Sequence, residues 1–164
     1  MYAFHGNHQK LILDQTDIRI LNILQTNAEM NVAHIATKVF KSPTSIFTRI
    51  RKMQENGVIK RYVAVLDRRL VGRPTLVVTM VQLKQHGIEI LKEFAGAMTD
   101  FPEVQFCLHL SGEYDFLLHI TLIDSQEYEE FLEFKLCAHP MVQKVLSSFV
   151  LKECKSMAAL PLVI

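Results

Sequence analysis

Residues 31–57 limit the folds open to this chain more than any other segment, because they read as two helices joined by a short turn. Ser42 is a good N-cap for the second helix, since its hydroxyl can accept a backbone N–H of the first turn, and Pro43 suits the first helical position. Gly57 can end that helix with a positive φ. The apolar stripe predicted to face the core is Ile46, Phe47, Ile50 and Met53.

The opposite face of this second helix is cationic and rich in hydroxyls. Such side chains can donate hydrogen bonds to phosphate oxygens or to base edges. The alternative is an ordinary surface helix with a solvated basic face. The residues that we predict to contact DNA are Ser42, Pro43, Thr44, Ser45, Thr48, Arg49, Arg51 and Lys52 on or next to the helix, and Lys60 and Arg61 just after it.

Another helix precedes this pair. Asp14 can cap a first helix that runs to about Thr26, and Asn31 can cap the second, which reaches the turn at Phe40 and Lys41. Three short helices, the last two separated by a tight turn, make a helix-turn-helix, in which the N-terminal residues of the last helix point toward the bases. The predicted buried positions are Ile18, Ile20, Leu21 and Leu24 in the first helix and Val32, Ile35, Ala36 and Val39 in the second.

Charge is unevenly distributed along the 164 residues, although the net charge is only +1. Residues 41–61 hold six Lys or Arg against Glu55, whereas residues 85–134 hold eleven Asp or Glu against Lys92. A basic part can approach a polyanion such as DNA, and an acidic part would be repelled by it. The pattern predicts two domains with different tasks.

After Gly57 the pattern changes from helical to extended, and β-forming residues predict a linking strand that ends at Leu66. The predicted domains are a flexible arm at 1–12, a DNA-binding domain with its linking strand at 13–66, and a second domain at 67–164. The second domain reads strand–helix–strand twice, which is the ferredoxin-like βαββαβ pattern, so the fold class is α+β. Its predicted strands are 75–83, 104–110, 115–123 and 144–151, with helices at 88–98 and 125–136.

Composition and spacing argue against several other classes of protein. The first residues lack the pattern of a signal peptide and no apolar run is long enough to cross a bilayer, so we expect a cytoplasmic protein without membrane partners. Cys107, Cys137 and Cys154 are far apart and form no CxxC, which predicts free thiols and no metal site. Since there is no Gly-rich phosphate loop, metal spacing or nucleophile signature, we expect neither enzymatic activity nor a cofactor.

The chain resembles the leucine-responsive regulator/asparagine regulator (Lrp/AsnC) family of bacterial and archaeal transcription factors. The resemblance extends from about Leu13 to Ile164 and rests on three motifs that follow the family order and spacing. Any one of them is weak, but all three in order over one chain are a strong signal. They are SPT at Ser42–Thr44, R-x-R-K-M-x-E-N-G-V-I at Arg49–Ile59 and SG-x-YD at Ser111–Asp115.

The resemblance implies a winged helix-turn-helix joined by a strand to a C-terminal ferredoxin-like domain for effector binding and oligomerisation. It implies a sequence-specific transcriptional regulator that binds pseudo-palindromic double-stranded DNA and pairs with itself into dimers, which often assemble into octamers of four dimers. Many members sense an amino acid in a pocket between subunits. The residues that match the turn of this effector pocket are Ser111, Gly112, Glu113, Tyr114 and Asp115.

The sequence leaves two alternatives open. Gly112 and Asp115 can merely close a hairpin, or the turn can hold an α-carboxylate on its backbone N–H groups while Asp115 pairs with an α-ammonium. The chain also departs from the family, which has Gly-Leu at Phe40–Lys41 and Pro-Gly-Val at Pro140–Val142; Phe at positive φ is strained. These departures keep open a stand-alone metabolite-sensing and oligomerisation module with degenerate DNA binding.

Overall fold

A computed structural model describes residues 12–156 and 159–162 of the chain. The described residues form two units: one spans Val65–Cys154, and the other joins the residues up to Ala64 with those from Lys155 onward. The division therefore lies between Ala64 and Val65 rather than after residue 66, and the C-terminal tail groups with the helical unit. The predicted arm lies outside the described residues except for Ile12, which is exposed.

The helical unit contains three helices: α1 (Gln15–Thr26), α2 (Val32–Val39) and α3 (Pro43–Glu55). Each begins after the predicted N-cap, because the side chains of Asp14, Asn31 and Ser42 accept a backbone N–H three residues later. A cap of this kind stabilises a helix by about 1 kcal/mol. Gly57 follows α3 with φ 71°, as the sequence predicts for the residue that ends the helix.

The core of this unit lies between the three helices. Ile20, Ile35 and Ile46 are wholly buried, and burial of an aliphatic side chain of this size stabilises a fold by about 1.5–3 kcal/mol. The predicted apolar stripe of α3 is only partly correct, because Phe47 is 57% exposed. Phe47 lines a groove with Tyr62 instead of entering the core, so α3 buries a narrower face than its sequence indicates.

The C-terminal tail adds to this core. The backbone of Leu160 forms two hydrogen bonds with the side chain of Gln25 on α1. The Leu160 N–H donates to Gln25 Oε1 at 2.6 Å, and the Leu160 carbonyl accepts from Gln25 Nε2 at 3.3 Å. Leu162 packs against the buried cluster of the helices. The tail is therefore part of the helical unit, although it follows the second unit in sequence.

The segment after α3 differs from the prediction. The sequence predicts a linking strand that ends at Leu66, but the described chain contains no strand between α3 and residue 75. A strand requires a neighbouring backbone to pair with, and the described residues provide none here. The prediction is therefore wrong for the single chain. As a result Val63, Val65 and Leu66 are exposed.

The second unit is a four-stranded antiparallel sheet with helices on one face. Its strand order is β2-β3-β1-β4, which is the ferredoxin-like arrangement that the sequence predicts. β4 begins and ends two residues before its predicted bounds, and the second helix continues as a π-helix, which the sequence did not indicate. The elements are β1 (Thr75–Leu83), α4 (Ile88–Thr99), β2 (Val104–His109), β3 (Phe116–Leu122), α5 (Ser125–Glu130) with its π-helical extension (Phe131–Leu136), and β4 (Val142–Phe149).

Alternation along the strands gives the sheet one covered and one open face. Phe116 and Leu118 are buried under the helices together with Phe94 of α4. On the other face, Leu108 of β2 and Leu146 of β4 remain about half exposed. Within the described residues, no helix has the length and apolar character needed to cross a membrane.

Candidate functional site

The outer face of α3 lines a groove of about 520 Å³ in the helical unit. Two hydroxyls on this face are fixed by the helix itself. The Ser42 Oγ accepts the Ser45 N–H at 3.3 Å, and the Thr48 hydroxyl donates to the Thr44 carbonyl at 3.0 Å. The structure therefore brings together most of the residues predicted on α3. Those that line the groove are Ser42, Thr44, Ser45, Thr48, Arg49 and Lys52.

Arg49 binds α1 rather than pointing freely to solvent. Its Nη1 lies 2.7 Å from Asp14 Oδ2 and 2.8 Å from Asp17 Oδ1. These hydrogen bonds raise the pKa of Arg49 above its ordinary value. The backbone N–H of Asp17 and the Arg49 guanidinium together lower the pKa of Asp14. The pair of carboxylates at the start of α1 thus holds the cation in the middle of α3.

This ion-pair cluster has two consequences for the groove. It fixes α3 against α1, so the angle of α3 depends on charged contacts as well as on the apolar core. It also offsets one of the two negative charges that Asp14 and Asp17 bring to the same groove, and so weakens their repulsion of a phosphate. This role of Arg49 differs from the DNA contact predicted for it from the sequence. The available signal was the spacing of Asp14 and Asp17 in the first turn of a helix.

The other predicted cations lie elsewhere on the helical unit. Arg51 is exposed and its Nε lies 2.8 Å from Glu55 Oε1. It lines the groove that contains Phe47, not the groove of Lys52. Lys60 and Arg61 are exposed after the end of α3, and Pro43 is exposed in its first turn. The ten predicted residues therefore occupy more than one surface of the unit.

The turn between α2 and α3 has left-handed backbone geometry. Phe40 has φ 55° and ψ 49°, and its side chain is 85% exposed. The Lys41 N–H donates to the Ala36 carbonyl at 3.0 Å, as expected for a helix that ends in this conformation. A residue other than Gly here is strained by about 1–2 kcal/mol. The turn thus adopts a backbone geometry that Gly would take without strain, despite the Phe side chain.

The second candidate site is the turn between β2 and β3. Gly112 has φ 146°, a conformation that side chains rarely adopt, and an added Cβ would meet no atom within 4 Å. Ser111, Gly112 and Glu113 are exposed, whereas Asp115 is buried. Among the described residues, the N–H groups of Gly112 and Glu113 have no protein acceptor. These N–H groups can therefore donate hydrogen bonds to an anion or to water.

Asp115 fastens this turn to the end of β1. Its Oδ2 accepts the Leu83 N–H at 2.7 Å, and its Oδ1 lies 3.3 Å from His86 Nε2. The Asp115 N–H donates to the Val81 carbonyl at 2.9 Å, and its carbonyl accepts the Leu110 N–H at 2.8 Å. Asp115 therefore has a structural role, whatever further contact its carboxylate makes.

The exposed part of the turn carries a mixed charge. Lys144 Nζ lies 3.2 Å from Glu113 Oε1 and 5.2 Å from the centre of the Tyr114 ring. Contacts with Tyr114 and Glu113 raise the pKa of Lys144. On the other side of Asp115, the Lys84 N–H donates to the Met141 carbonyl at 2.9 Å. The segment around Met141 thus lies next to the end of β1.

The described residues include no group of three His, Cys, Asp or Glu side chains that could hold a metal ion. The three cysteines are free thiols. Burial raises the pKa of Cys107 to about 11, while Cys137 and Cys154 are exposed.

Two family models match the chain, one for each unit. Residues 13–60 match a model described as winged helix-turn-helix DNA-binding, and residues 76–160 match the Lrp/AsnC ligand binding domain. Among curated relatives, a leucine-responsive regulatory protein of Haemophilus influenzae is 34% identical over 143 residues, 87% of this chain and 86% of the relative. A proline dehydrogenase transcriptional activator of Rhodobacter capsulatus is 36% identical over 142 residues, 87% of this chain and 92% of the relative.

Solved structures give the same result. A transcriptional regulator of Neisseria meningitidis in complex with L-Met is 32% identical, with a TM-score of 0.86 over 92% of this chain and 97% of that one. An AsnC family regulator of Agrobacterium tumefaciens is 36% identical, with a TM-score of 0.85 over 91% of this chain and 97% of that one. The similarity covers both units.

Proposed function

The chain belongs to the Lrp/AsnC family of transcriptional regulators, and from that premise we propose which of its residues bind DNA and which bind an effector. In this proposal, one protomer places α3 in the major groove at one half of a pseudo-palindromic site. The turn at Ser111–Asp115 binds an amino acid or a related metabolite, which changes the affinity for DNA. No catalytic step and no cofactor is part of the proposal, and the protein works in the cytoplasm.

The observation that carries the DNA-binding part is the hydroxyl-lined face of α3. Thr44, Ser45 and Thr48 lie on one side of the helix, with Lys52 one turn further on. The hydroxyls of Thr44 and Ser45 and a flexible ammonium can donate to phosphates and to base edges, whereas the Thr48 hydroxyl, which donates to the Thr44 carbonyl, can accept from a base edge. Arg49 supports this surface because it offsets part of the negative charge of Asp14 and Asp17 beside it. We propose that the exposed Pro43, Arg51, Lys60 and Arg61, with Ser42, contact the flanking backbone.

The direct test is fluorescence anisotropy with two duplexes, one selected from a random-sequence pool by the wild-type protein and one scrambled. The proposal predicts tighter binding to the selected duplex, and an affinity that falls as salt rises. Equal, weak binding to both duplexes would favour the stand-alone sensing module.

Lys52→Ala is the better probe of the face, because Arg49→Ala would also loosen α3 from α1. We expect Lys52→Ala to weaken binding to the selected duplex about tenfold and to reduce the salt slope by about one. The matched control is Arg19→Ala, which removes an exposed cation from α1. The control should bind with the wild-type affinity.

The effector part is supported by the turn of the sheet unit. The N–H groups of Gly112 and Glu113 can receive an α-carboxylate, and carboxylates are present nearby in Asp115 and Glu113 to receive an α-ammonium. The family model for this region describes a ligand binding domain, and one similar structure contains L-Met. We therefore propose that Ser111, Gly112, Glu113, Tyr114 and Asp115 form one wall of an amino-acid site.

A panel of the twenty L-amino acids, with L-methionine first, tests this assignment by its effect on DNA affinity. Asp115→Asn keeps an oxygen that can accept the Leu83 N–H but removes the negative charge. If Asp115 pairs with the α-ammonium, the amino acid should no longer change the DNA affinity of this variant. The thermal unfolding midpoint of the variant should equal that of the wild type. An undiminished response would remove Asp115 from the effector site.

We further propose that the open sheet face and the unpaired segment after α3 form the dimer contact, and that dimers assemble further into octamers. Leu108 and Leu146 are about half exposed on one face of the sheet, which is costly for a monomer. Val63 and Val65 have strand-forming side chains without a paired neighbour. A second copy of the same chain would cover both.

Light scattering checks this contact. Leu108→Asp should shift the protein toward the monomer, because a charge would enter an apolar interface. Leu151→Asp is the control, since Leu151 is 95% exposed and lies beyond the end of β4. An unchanged mass for Leu108→Asp would exclude the sheet face as the dimer contact.

A further inference from the structure

Phe40 combines a strained backbone with an exposed side chain. Among the described residues it is the one non-Gly residue with a positive φ. Its ring is 85% exposed, so little burial offsets the strain. Gly would fit the same backbone without strain and would lose almost no packing. The stability of the fold therefore does not explain Phe at this position.

The turn itself is well held. The Lys41 N–H donates to the Ala36 carbonyl at 3.0 Å, and the Phe40 N–H donates to the Thr37 carbonyl at 3.3 Å. The helices on both sides also have their caps, Asn31 for α2 and Ser42 for α3. The surrounding structure thus forces Phe40 into the left-handed region and presents its ring outward.

The ring lies beside the proposed DNA-binding surface. Phe40 precedes the N-cap of α3 by two residues, and it lines a shallow groove with Ala33, Thr37 and Pro43. In a helix-turn-helix, the N-terminus of the second helix enters the major groove, so a side chain on the preceding turn lies at the groove edge. Lys41 is exposed next to it and can reach a phosphate.

The chemistry of the ring selects one kind of contact. A phenyl ring has no hydrogen-bonding atom, and the apolar group that the major groove displays is the C5-methyl of thymine. We propose that Phe40 is a specificity-determining residue that packs on a thymine methyl at the edge of each half-site. This inference rests on the proposed DNA binding by α3.

Deoxyuridine lacks only the thymine methyl, so replacing thymines one at a time in the selected duplex tests the contact directly. For the wild type, one thymine in each half-site should be sensitive, with a loss of affinity of about three- to tenfold on replacement. Phe40→Asn tolerates the left-handed backbone but has no apolar ring. It should bind the unmodified duplex about three- to tenfold more weakly and should not respond to deoxyuridine at that position.

Thermal unfolding separates this role from a structural one. Phe40→Gly should raise the unfolding midpoint by about 2–4 °C while it lowers affinity for the selected duplex, because relief of strain exceeds the entropy that Gly adds to the unfolded chain. The control is Phe134→Asn, which removes another exposed ring from the sheet unit and should leave DNA binding unchanged.

Three results would overturn the inference. Sensitivity to deoxyuridine retained in Phe40→Asn would exclude the methyl contact but leave the proposed function intact. Midpoints several degrees lower in both Phe40 variants would make Phe40 a structural residue. A wild type that selects no sequence from the random pool would contradict the proposed function itself, and the inference with it.

Discussion

Two turns of this chain hold a residue with positive φ beside a surface for which we propose a function, and they fill that position differently. The turn between β2 and β3 uses Gly112 at φ 146°, and the buried Asp115 carboxylate fastens it. The turn between α2 and α3 uses Phe40 at φ 55°, and the ring remains in solvent. The first arrangement stabilises the fold, because Gly is unstrained at positive φ. The second destabilises it, because Phe is strained at positive φ and its ring is not buried.

The difference separates structural reasons from functional ones. At the sheet turn, Gly112 adopts the required backbone conformation and Asp115 bonds the turn to β1, and both stabilise the fold. At the helical turn, the backbone is forced by α2 and α3, and the side chain gains nothing from its own unit. Strain that persists without burial is expected at a binding surface rather than in a scaffold.

The largest expected effect is the loss of the Asp115 carboxylate. Asp115→Ala leaves the buried Leu83 N–H without an acceptor, so the free energy of unfolding should fall by about 1–3 kcal/mol. Urea unfolding measures it. Glu113→Ala, at the exposed end of the same turn, should change stability by less than about 0.5 kcal/mol. Equal, small changes would mean that the carboxylate does not hold the turn.

A smaller effect is expected when Gly112 and Phe40 receive the same side chain. Gly112→Ala should destabilise the protein by about 1–2 kcal/mol, since Ala is strained there although its Cβ meets no atom. Phe40→Ala should remain within about 0.5 kcal/mol of the wild type, because one strained residue replaces another and an exposed ring is lost. A large loss for Phe40→Ala would show that its ring supports the fold.

The smallest effect concerns the ion pairs by which Arg49 holds α3 against the start of α1. The pKa of Asp14 is lowered in the folded chain, so its charge stabilises the fold above its ordinary value of 3.8. This contribution disappears as pH falls through the lowered pKa. Asp14→Asn keeps the cap but removes the charge that pairs with Arg49. Because Asp14 is half exposed, this variant should be less stable than the wild type by only a few tenths of a kcal/mol at pH 6. The difference should shrink steadily as the pH falls below 3.8. Urea unfolding from pH 2 to 6 measures it, with Glu129→Gln as a control, and a constant difference would exclude the charge effect.

Much of this fold could be predicted because its signals are local. Asp14, Asn31 and Ser42 cap helices in which each capping bond spans three residues. Burial along β3 alternates from residue to residue, as the two-residue period of the predicted strand requires. The Gly112 turn was also recognisable, since a Gly between two strand patterns indicates a hairpin.

The features that sequence reasoning missed depend on distant partners. Arg49 pairs with carboxylates 32 and 35 residues earlier, and Asp115 accepts a backbone N–H 32 residues before it. Helical periodicity assigned Phe47 to the core, but the width of the buried face of α3 depends on how closely α1 and α2 approach. The linking strand requires a partner backbone, and the described part of the chain provides none.

The central claim is that DNA affinity resides in the helical unit and effector response in the sheet unit. The direct test is the affinity of the wild type, Lys52→Ala and Gly112→Ala for the selected duplex, with and without the L-amino acid that shifts the wild type most. Lys52→Ala should weaken binding about tenfold and keep the wild-type ratio of the two affinities. Gly112→Ala should bind within about twofold of the wild type without amino acid and lose the response. If Lys52→Ala abolishes the response, or if Gly112→Ala weakens binding and keeps the ratio, the division is wrong.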